Sequence, residues 1–487
     1  MTTVLEDVLY PKCQQETMDS QDEILNSQRS LVSYEYFYLQ KNITESRADE
    51  NMRIKCAKVI FSLLDFLERY LCELVFKYTR AHEKEDYKIV KGFIGRFDYK
   101  MLARANYECN EYARALWYTE QYIKYDSGSR LQAELGFLAK IHAELFDPDS
   151  VEGVMVVKED EPSLEEQILA FNVTGRLHES AVCFERIMQL QNNNLPLSIM
   201  KDMVGCYLGL DQPETALIVS ENFYSKYTDS NPDLVLQANC AEPLWRLSRW
   251  DELEKLIHEP GVKESDIWGI NCGKLLIDFR ESRHNEFDKE IDRIRLSILR
   301  VLKTHESEQS VYQKFYPHIL KLHMLTEIQK AEEIMRGIGN HVPENEFKNL
   351  LNNMLRDWSS RNELLQPTSH TMEPLLCLRR IILNEMQYLL ESRLEQQSKA
   401  SQTVKETINE KLGKLWVQST RLASKAKMYQ QAAIYIFNAE KFNPPELYIE
   451  KAKLSWEKGD QTNAFKVLDT GINAKMQVKV FFLQWYE

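Results

Sequence analysis

Apolar positions along the chain recur at helical spacing. Ile60, Leu63, Leu64, Leu67, Leu71, Leu74, Val75 and Tyr78 fall on one face of a 3.6-residue repeat and predict a long amphipathic helix. Stretches of period-two alternation bounded by hairpin turns do not occur. The one strand-like run, Val154 to Val157, is too short and isolated to build a sheet. The most apolar early stretch, Val59 to Phe76, is interrupted by Asp65, Glu68, Arg69 and Glu73. A bilayer needs about 20 largely uncharged residues, so this stretch reads as a core helix.

Several segments share one form, an apolar helix, a polar turn, then a helix with a small residue near its start. Asn110-Glu111-Tyr112-Ala113-Arg114-Ala115, Gly175 to Ala181, Gly209 to Ala216, Lys427 to Ala432 and Gly459 to Ala464 are five of them. Ala181 to Ala216 is 35 residues, Ala432 to Ala464 is 32, and Ala115 to Ala181 is 66, two units of 33. Leu253 follows Ala216 by 37. Spacing near ~34 is that of tetratricopeptide-type helix pairs, although no unit carries that full consensus. The small residues Ala115, Ala181, Ala216, Ala432 and Ala464 are expected at close helix contacts, with Tyr107, Tyr207 and Trp245 wedged between neighbours. A pair buries its apolar face only against the next pair, so the expected architecture is all-α, an elongated α-solenoid of tetratricopeptide/HEAT-like antiparallel helix pairs, about ten or more.

Composition supports this. Sixteen glycines and 14 prolines in 487 residues are well below average usage, which favours long helices and short connections. Polar breaks fall at 11–30, 338–345, 366–374 and 391–410; the last reads as either an exposed helix or a flexible excursion. The net charge of −13 repels phosphate backbones, so no direct nucleic-acid binding is expected. Nine cysteines, with no Cys-x-x-Cys, lie mostly inside apolar patterns and read as reduced and buried in an intracellular protein. The first residues, MTTVLEDVLY, lack the basic start and apolar run of a signal peptide, so the chain is expected not to be secreted.

Candidate chemistry is sparse. There is no Gly-x-x-x-x-Gly-Lys-Ser/Thr, His-Arg-Asp or Asp-Phe-Gly, and no nucleophile elbow or zinc helix. Gly337-Ile338-Gly339 reads as a helix end. His318 and His323 are five apart, on different sides of a helix, the wrong geometry for a shared metal. Glu159-Asp160-Glu161 precedes Pro162 and Ser163, so helix capping suits it better than acid–base work. Arg293, Arg295, Arg300 and Lys303 interleave with apolar residues and read as one amphipathic helix. Catalytic, cofactor-binding and metal-binding residues are therefore all expected to be none. Ser20-Gln21, Ser27-Gln28 and Ser401-Gln402 are Ser-Gln pairs in segments that read as exposed.

Five stretches carry a family resemblance. They are Leu135 to Lys140 with Asp147-Pro148 to Val154; Glu161-Pro162-Ser163-Leu164-Glu165-Glu166-Gln167-Ile168-Leu169; Trp245-Arg246-Leu247-Ser248-Arg249-Trp250-Asp251; Pro374 to Arg380; and Glu446 to Asp460. In this order they resemble the FAT region of the phosphatidylinositol 3-kinase-related protein kinases, in its ATR-type checkpoint branch. The helix from Cys56 to Leu71 resembles the lead into that region. The resemblance implies a fragment without the kinase domain. It would be a non-catalytic, nuclear regulatory scaffold that clamps the kinase domain of its parent protein serine/threonine kinase in DNA-damage and replication-stress signalling. The implied partners are that kinase domain and proteins of an ATR-type complex, in a parent that is dimeric, with no membrane. The Ser-Gln pairs match the target sequence of such kinases.

The expected organisation is an N-terminal segment, partly disordered, over 1–48 and leading helices over 49–97. A FAT-type solenoid follows over 98–475, then an apolar tail over 476–487 that lacks helical periodicity and is expected to be exposed at a truncation point. The alternative reading is a free-standing tetratricopeptide-like adaptor; a third, less favoured, is an enzyme with an unrecognised site.

Overall fold

The computed structural model describes residues 43–78, 82, 84–124, 129–190, 196–227, 234–259, 267–304, 311–338, 344–393 and 399–484. The polar segment 11–30, with Ser20-Gln21 and Ser27-Gln28, lies outside the described residues, as does Cys13. Among the described residues every regular element is a helix. Val154–Val157, the one strand-like run, is helical too. The chain divides into two compact units.

The first unit holds α1 (Ile43–Lys77), α2 (Glu85–Ile94), α3 (Tyr99–Glu108), α4 (Tyr112–Lys124), α5 (Ser129–Glu144), α6 (Pro148–Val157), α7 (Leu164–Thr174) and α8 (Leu177–Leu190). Its core joins Ala57, Phe61 and Leu64 of α1 to Phe97, Leu102, Ala105, Cys109 and Tyr118. The predicted α1 stripe is only partly covered. Ile60, Leu64 and Leu74 are buried, whereas Leu63, Val75 and Tyr78 are 38 to 47% exposed.

The second unit holds α9 (Leu197–Gly209), α10 (Pro213–Tyr227), α11 (Leu234–Arg246), α12 (Trp250–Ile257), α13 (Trp268–Arg280), α14 (His284–Thr304), α15 (Val311–Ile338), α16 (Glu344–Asn362), α17 (Ser369–Arg393), α18 (Lys399–Lys425), α19 (Tyr429–Glu440), α20 (Leu447–Glu457) and α21 (Gln461–Gln484). One apolar cluster runs from Leu217 of α10 to Leu415 of α18, and a second joins α18 to α20. Three sequence expectations need correction here. The break at 366–374 is mostly helix, because α17 begins at Ser369 and accommodates Pro374. The proline forfeits one early hydrogen bond, which burial of Leu375, Leu376 and Leu378 outweighs. The tail is helical through Gln484, despite its irregular apolar spacing, as a continuation of α21. Cys56 and Cys72 are exposed on α1, while the other six described cysteines are buried.

The repeat is punctuated by one backbone device. Asn110, Phe146, Gly175, Asp211, Ser248, Ser282, Lys427 and Gly459 all have positive φ, between 54° and 87°. At each, the next residue's N–H reaches back five residues: Glu111 to the Asn106 carbonyl at 2.9 Å, Gln212 to Tyr207 at 2.9 Å, Met428 to Ala423 at 2.9 Å. This is the Schellman helix end, which satisfies orphan carbonyls with a single left-handed residue. The following helix then starts two residues later in every case. Consecutive turns in the runs 110–282 and 427–459 lie 29 to 37 residues apart. The turn at Phe146 supplies the unit inside the 66-residue gap.

Five residues after each left-handed position comes the inward contact: Ala115, Val151, Ser180, Ala216, Leu253, Phe287, Ala432 and Ala464, none more than 2% exposed. The register places Ser180 there rather than the expected Ala181, which still is buried. Lys427 is exposed at φ 60°, where an L-residue is strained and glycine is not. Lys427→Gly is therefore expected to stabilise the fold by about 0.5–1 kcal/mol, read as a raised denaturant midpoint. An unchanged or lowered midpoint would show that the turn is relaxed as it stands.

Capping in the first unit follows the sequence. Ser163 and Glu166 form a reciprocal box at α7, with the Glu166 N–H donating to Ser163 Oγ at 3.3 Å and the Ser163 N–H to Glu166 at 2.8 Å. Asp147 caps α6 ahead of Pro148, so the anticipated acidic-proline turn is a helix start. Ser163→Ala should cost about 1 kcal/mol, measured by chemical denaturation.

Candidate functional site

Charge in the second unit is concentrated where apolar residues would be expected. In α17, Leu375, Leu376, Leu378, Ile381, Ile382, Leu383 and Met386 are at most 3% exposed, yet Glu373, Arg379, Arg380 and Glu385 are buried among them. A buried charge survives only when paired and hydrogen-bonded. Arg379 donates to both carboxylate oxygens of Glu327 on α15, at 2.8 and 2.7 Å. It also donates to Asn362 Oδ1 at 2.6 Å and the Trp358 carbonyl at 3.3 Å, both on α16. One guanidinium thus ties three helices together.

Arg380 points the other way. It donates to Glu373 at 2.7 Å and to Ser419 Oγ on α18 at 2.6 Å, and its guanidinium carbon lies 4.0 Å from the Trp416 ring centre. The second oxygen of Glu373 has no hydrogen-bond partner, and burial raises this carboxyl's pKa. A third brace pairs Glu385 with Arg280 of α13, which stacks on Tyr388 at 4.0 Å.

The same region contains the Asp211 turn. Gln431 Nε2 on α19 donates to the Asp211 carbonyl at 2.8 Å, and the Tyr435 hydroxyl donates to the Asp211 carboxylate. Arg246 of α11 lies 3.8 Å from that carboxylate, bonds Glu242 at 2.5 Å and donates to the Leu208 carbonyl at 3.2 Å. Burial pushes Cys377 up to about 11 and Cys272 well above its usual range, so these thiols stay protonated and are poor nucleophiles. Among the described residues no three His, Cys, Asp or Glu side chains are grouped to hold a metal. The arrangement can brace helices and transmit strain between them.

The residues singled out in the sequence do not converge. Glu159, Asp160 and Glu161 precede the α7 cap. His318 and His323 sit on α15, where burial and then Arg361 keep His323 below the ordinary histidine pKa. Arg293 and Arg295 lie on α14, bonded to Glu290 and Gln329 respectively. Gly337 lies within α15 and Gly339 outside the described residues. Ser401 is in the first turn of α18. The sequence reading missed the braces; their one local sign is a paired Arg379-Arg380 inside an apolar run, with Glu373 six residues before Arg379 and Glu385 five after Arg380.

In the first unit, Arg114 bridges Asp65 at 2.6 Å, and Glu68 is raised to about 7 by burial and then by Asp65. The folded state therefore holds a proton that the unfolded chain releases above pH 4.5. The stability tied to that proton is complete below pH 4.5 and lost as pH rises through about 7. Glu68→Gln should match the parent at pH 4 and melt higher at pH 8.5. Equal melting at both pH values would show that Glu68 titrates normally.

An all-α array of helix pairs joined by recurrent left-handed turns defines a helical-repeat protein. Comparison with known families agrees: a FAT domain family model matches residues 237–482, and a model of the serine/threonine-protein kinase ATR M-HEAT region matches residues 4–171. The chain belongs to the FAT domain family, in its ATR-type form. It is 28% identical over 449 residues to serine/threonine-protein kinase ATR of Drosophila melanogaster, covering 88% of this chain and 17% of that protein. The rice protein of the same name is 24% identical over 386 residues, 73% of this chain and 13% of its own length. Protein kinase rad3 of Schizosaccharomyces pombe is 23% identical over 395 residues, 80% of this chain and 15% of its own. The chain thus spans less than a fifth of these relatives.

Proposed function

We propose that this chain is the regulatory scaffold region of an ATR-like serine/threonine protein kinase, acting in DNA-damage and replication-stress checkpoint signalling in the nucleus. Its partners are the kinase domain of the parent protein and the proteins of an ATR-type complex, in a dimeric parent. The observation that carries this is the FAT domain match over residues 237–482, alongside relatives that are themselves kinases. The braces suit the role, because a clamp must pass force between helices without yielding.

The chain alone is expected neither to bind ATP-Mg nor to transfer phosphate. Calorimetric titration should show no saturable ATP binding at micromolar concentration. Saturable binding, with phosphate transfer abolished by a point change within the chain, would make it an enzyme. The role itself is tested by mixing the chain with an ATR-type kinase domain. Co-elution, with an altered rate of Ser-Gln peptide phosphorylation, is expected. No association, together with capture of a different peptide ligand, would favour the free-standing adaptor.

A further inference from the structure

Of the eight Schellman turns among the described residues, Asp211 alone is buried at its left-handed residue, 8% exposed; the other seven reach the surface fully or in part. What covers it comes from 220 residues further along the chain. Gln431 donates to its carbonyl and Tyr435 to its carboxylate, and both side chains are on one face of α19. The solvent-facing side of α19 carries Ile434 and Phe437, 51% and 65% exposed. Elsewhere on α19, Ala432, Ile436 and Ala439 pack in the cluster shared with α18 and α20, which the Tyr435 side chain also joins. The turn after α9 and α19, 220 residues apart, are therefore joined by two side chains.

We propose that the Asp211 turn and α19 form a clasp, so that these two distant segments of the second unit open and close together. In the closed state the Asp211 carboxylate is held by Tyr435 and faces Arg246, and its carbonyl is held by Gln431. Opening breaks both donations at once and leaves a buried carboxylate short of donors, which makes the step all-or-none rather than gradual. The Arg379–Glu327 brace shares no hydrogen bond with the clasp and stays shut during opening. The proposal concerns this chain alone and stands whether or not the kinase reading holds.

The test is native-state hydrogen exchange on the full chain carrying Gln431→Leu and Tyr435→Phe, substitutions that keep size while removing both donors. Peptides covering 206–213 and 429–440 should exchange about tenfold or more faster, and in step. Peptides covering 320–330 and 375–386 should be unchanged. Acceleration of 429–440 with 206–213 unaffected would reduce the contact to local packing of α19 and overturn the clasp. Uniform acceleration across the unit would overturn it too, since the clasp would not be separable from the fold. Asp211→Asn serves as the second variant, because asparagine tolerates the left-handed turn while removing the charge. It should accelerate the same two segments together. If neither variant folds, the contact is part of the core and the proposal fails.

Discussion

Arg379→Met should destabilise the second unit by about 3–5 kcal/mol, the cost of stranding one member of a buried ion pair. Both Arg379 and Glu327 are 0% exposed. Methionine fills much of the arginine's volume, so the loss comes from the uncompensated Glu327 carboxylate. Arg361 lies 3.6 Å from that carboxylate and limits the damage, which places the expected loss at the lower end of the range. The double change Arg379→Met with Glu327→Leu should recover most of it, because replacing both partners removes the desolvation penalty as well as the attraction. Chemical denaturation followed by circular dichroism on the two single variants and the double variant makes a full cycle. If the double variant is as unstable as Arg379→Met alone, the pair matters through shape and not through charge.

Trp245→Ala is expected to be comparably severe, at about 3–5 kcal/mol. Trp245 is the largest fully buried side chain described, and it lies in the last turn of α11, three residues before the left-handed Ser248. Its removal opens a void between consecutive helix pairs, which the rigid turn prevents from collapsing. Its indole N–H has no hydrogen-bond partner. Trp245→Phe should therefore cost much less than the alanine change, since only volume is lost. Equal costs for the two would show that the indole nitrogen is bonded after all.

Much of the fold was legible because its signals are local. The helical stripe of α1, the Ser163 cap and the approximate 34-residue rhythm all follow from residues close together in the chain. Ala115, Ala216, Ala432 and Ala464 were recognisable because a small residue repeats at fixed distance from a polar turn. The left-handed backbone itself was unreadable at Phe146, Ser248 and Lys427, since nothing in those residue types advertises it, even though Ala432 and Leu253 stood out by their spacing. Leu253 and Phe287 occupy the inward position as well as alanine does, so size alone does not mark it. The braces were harder. Arg379 and Arg380 look like solvated charges until Glu327 and Ser419, 52 and 39 residues away, are brought beside them. The Asp211 contact spans 220 residues, and no periodic rule links its two ends.

The recurrent turn has a consequence for how such an array changes over time. Each junction consists of one torsion and one inward position, with everything between free to lengthen or shorten by whole residues. Units of 29 to 37 residues are joined by the same hinge geometry here. Identities of 23–28% between this chain and the relatives named above are compatible with that tolerance, because neither requirement specifies a particular side chain. Insertions between relatives should accordingly collect in the connections that follow the second helix of a pair, and should avoid the seven residues from each left-handed position to just past its inward contact. An alignment of many such arrays, anchored on the turns in place of residue identity, should therefore recover repeats that similarity alone leaves invisible.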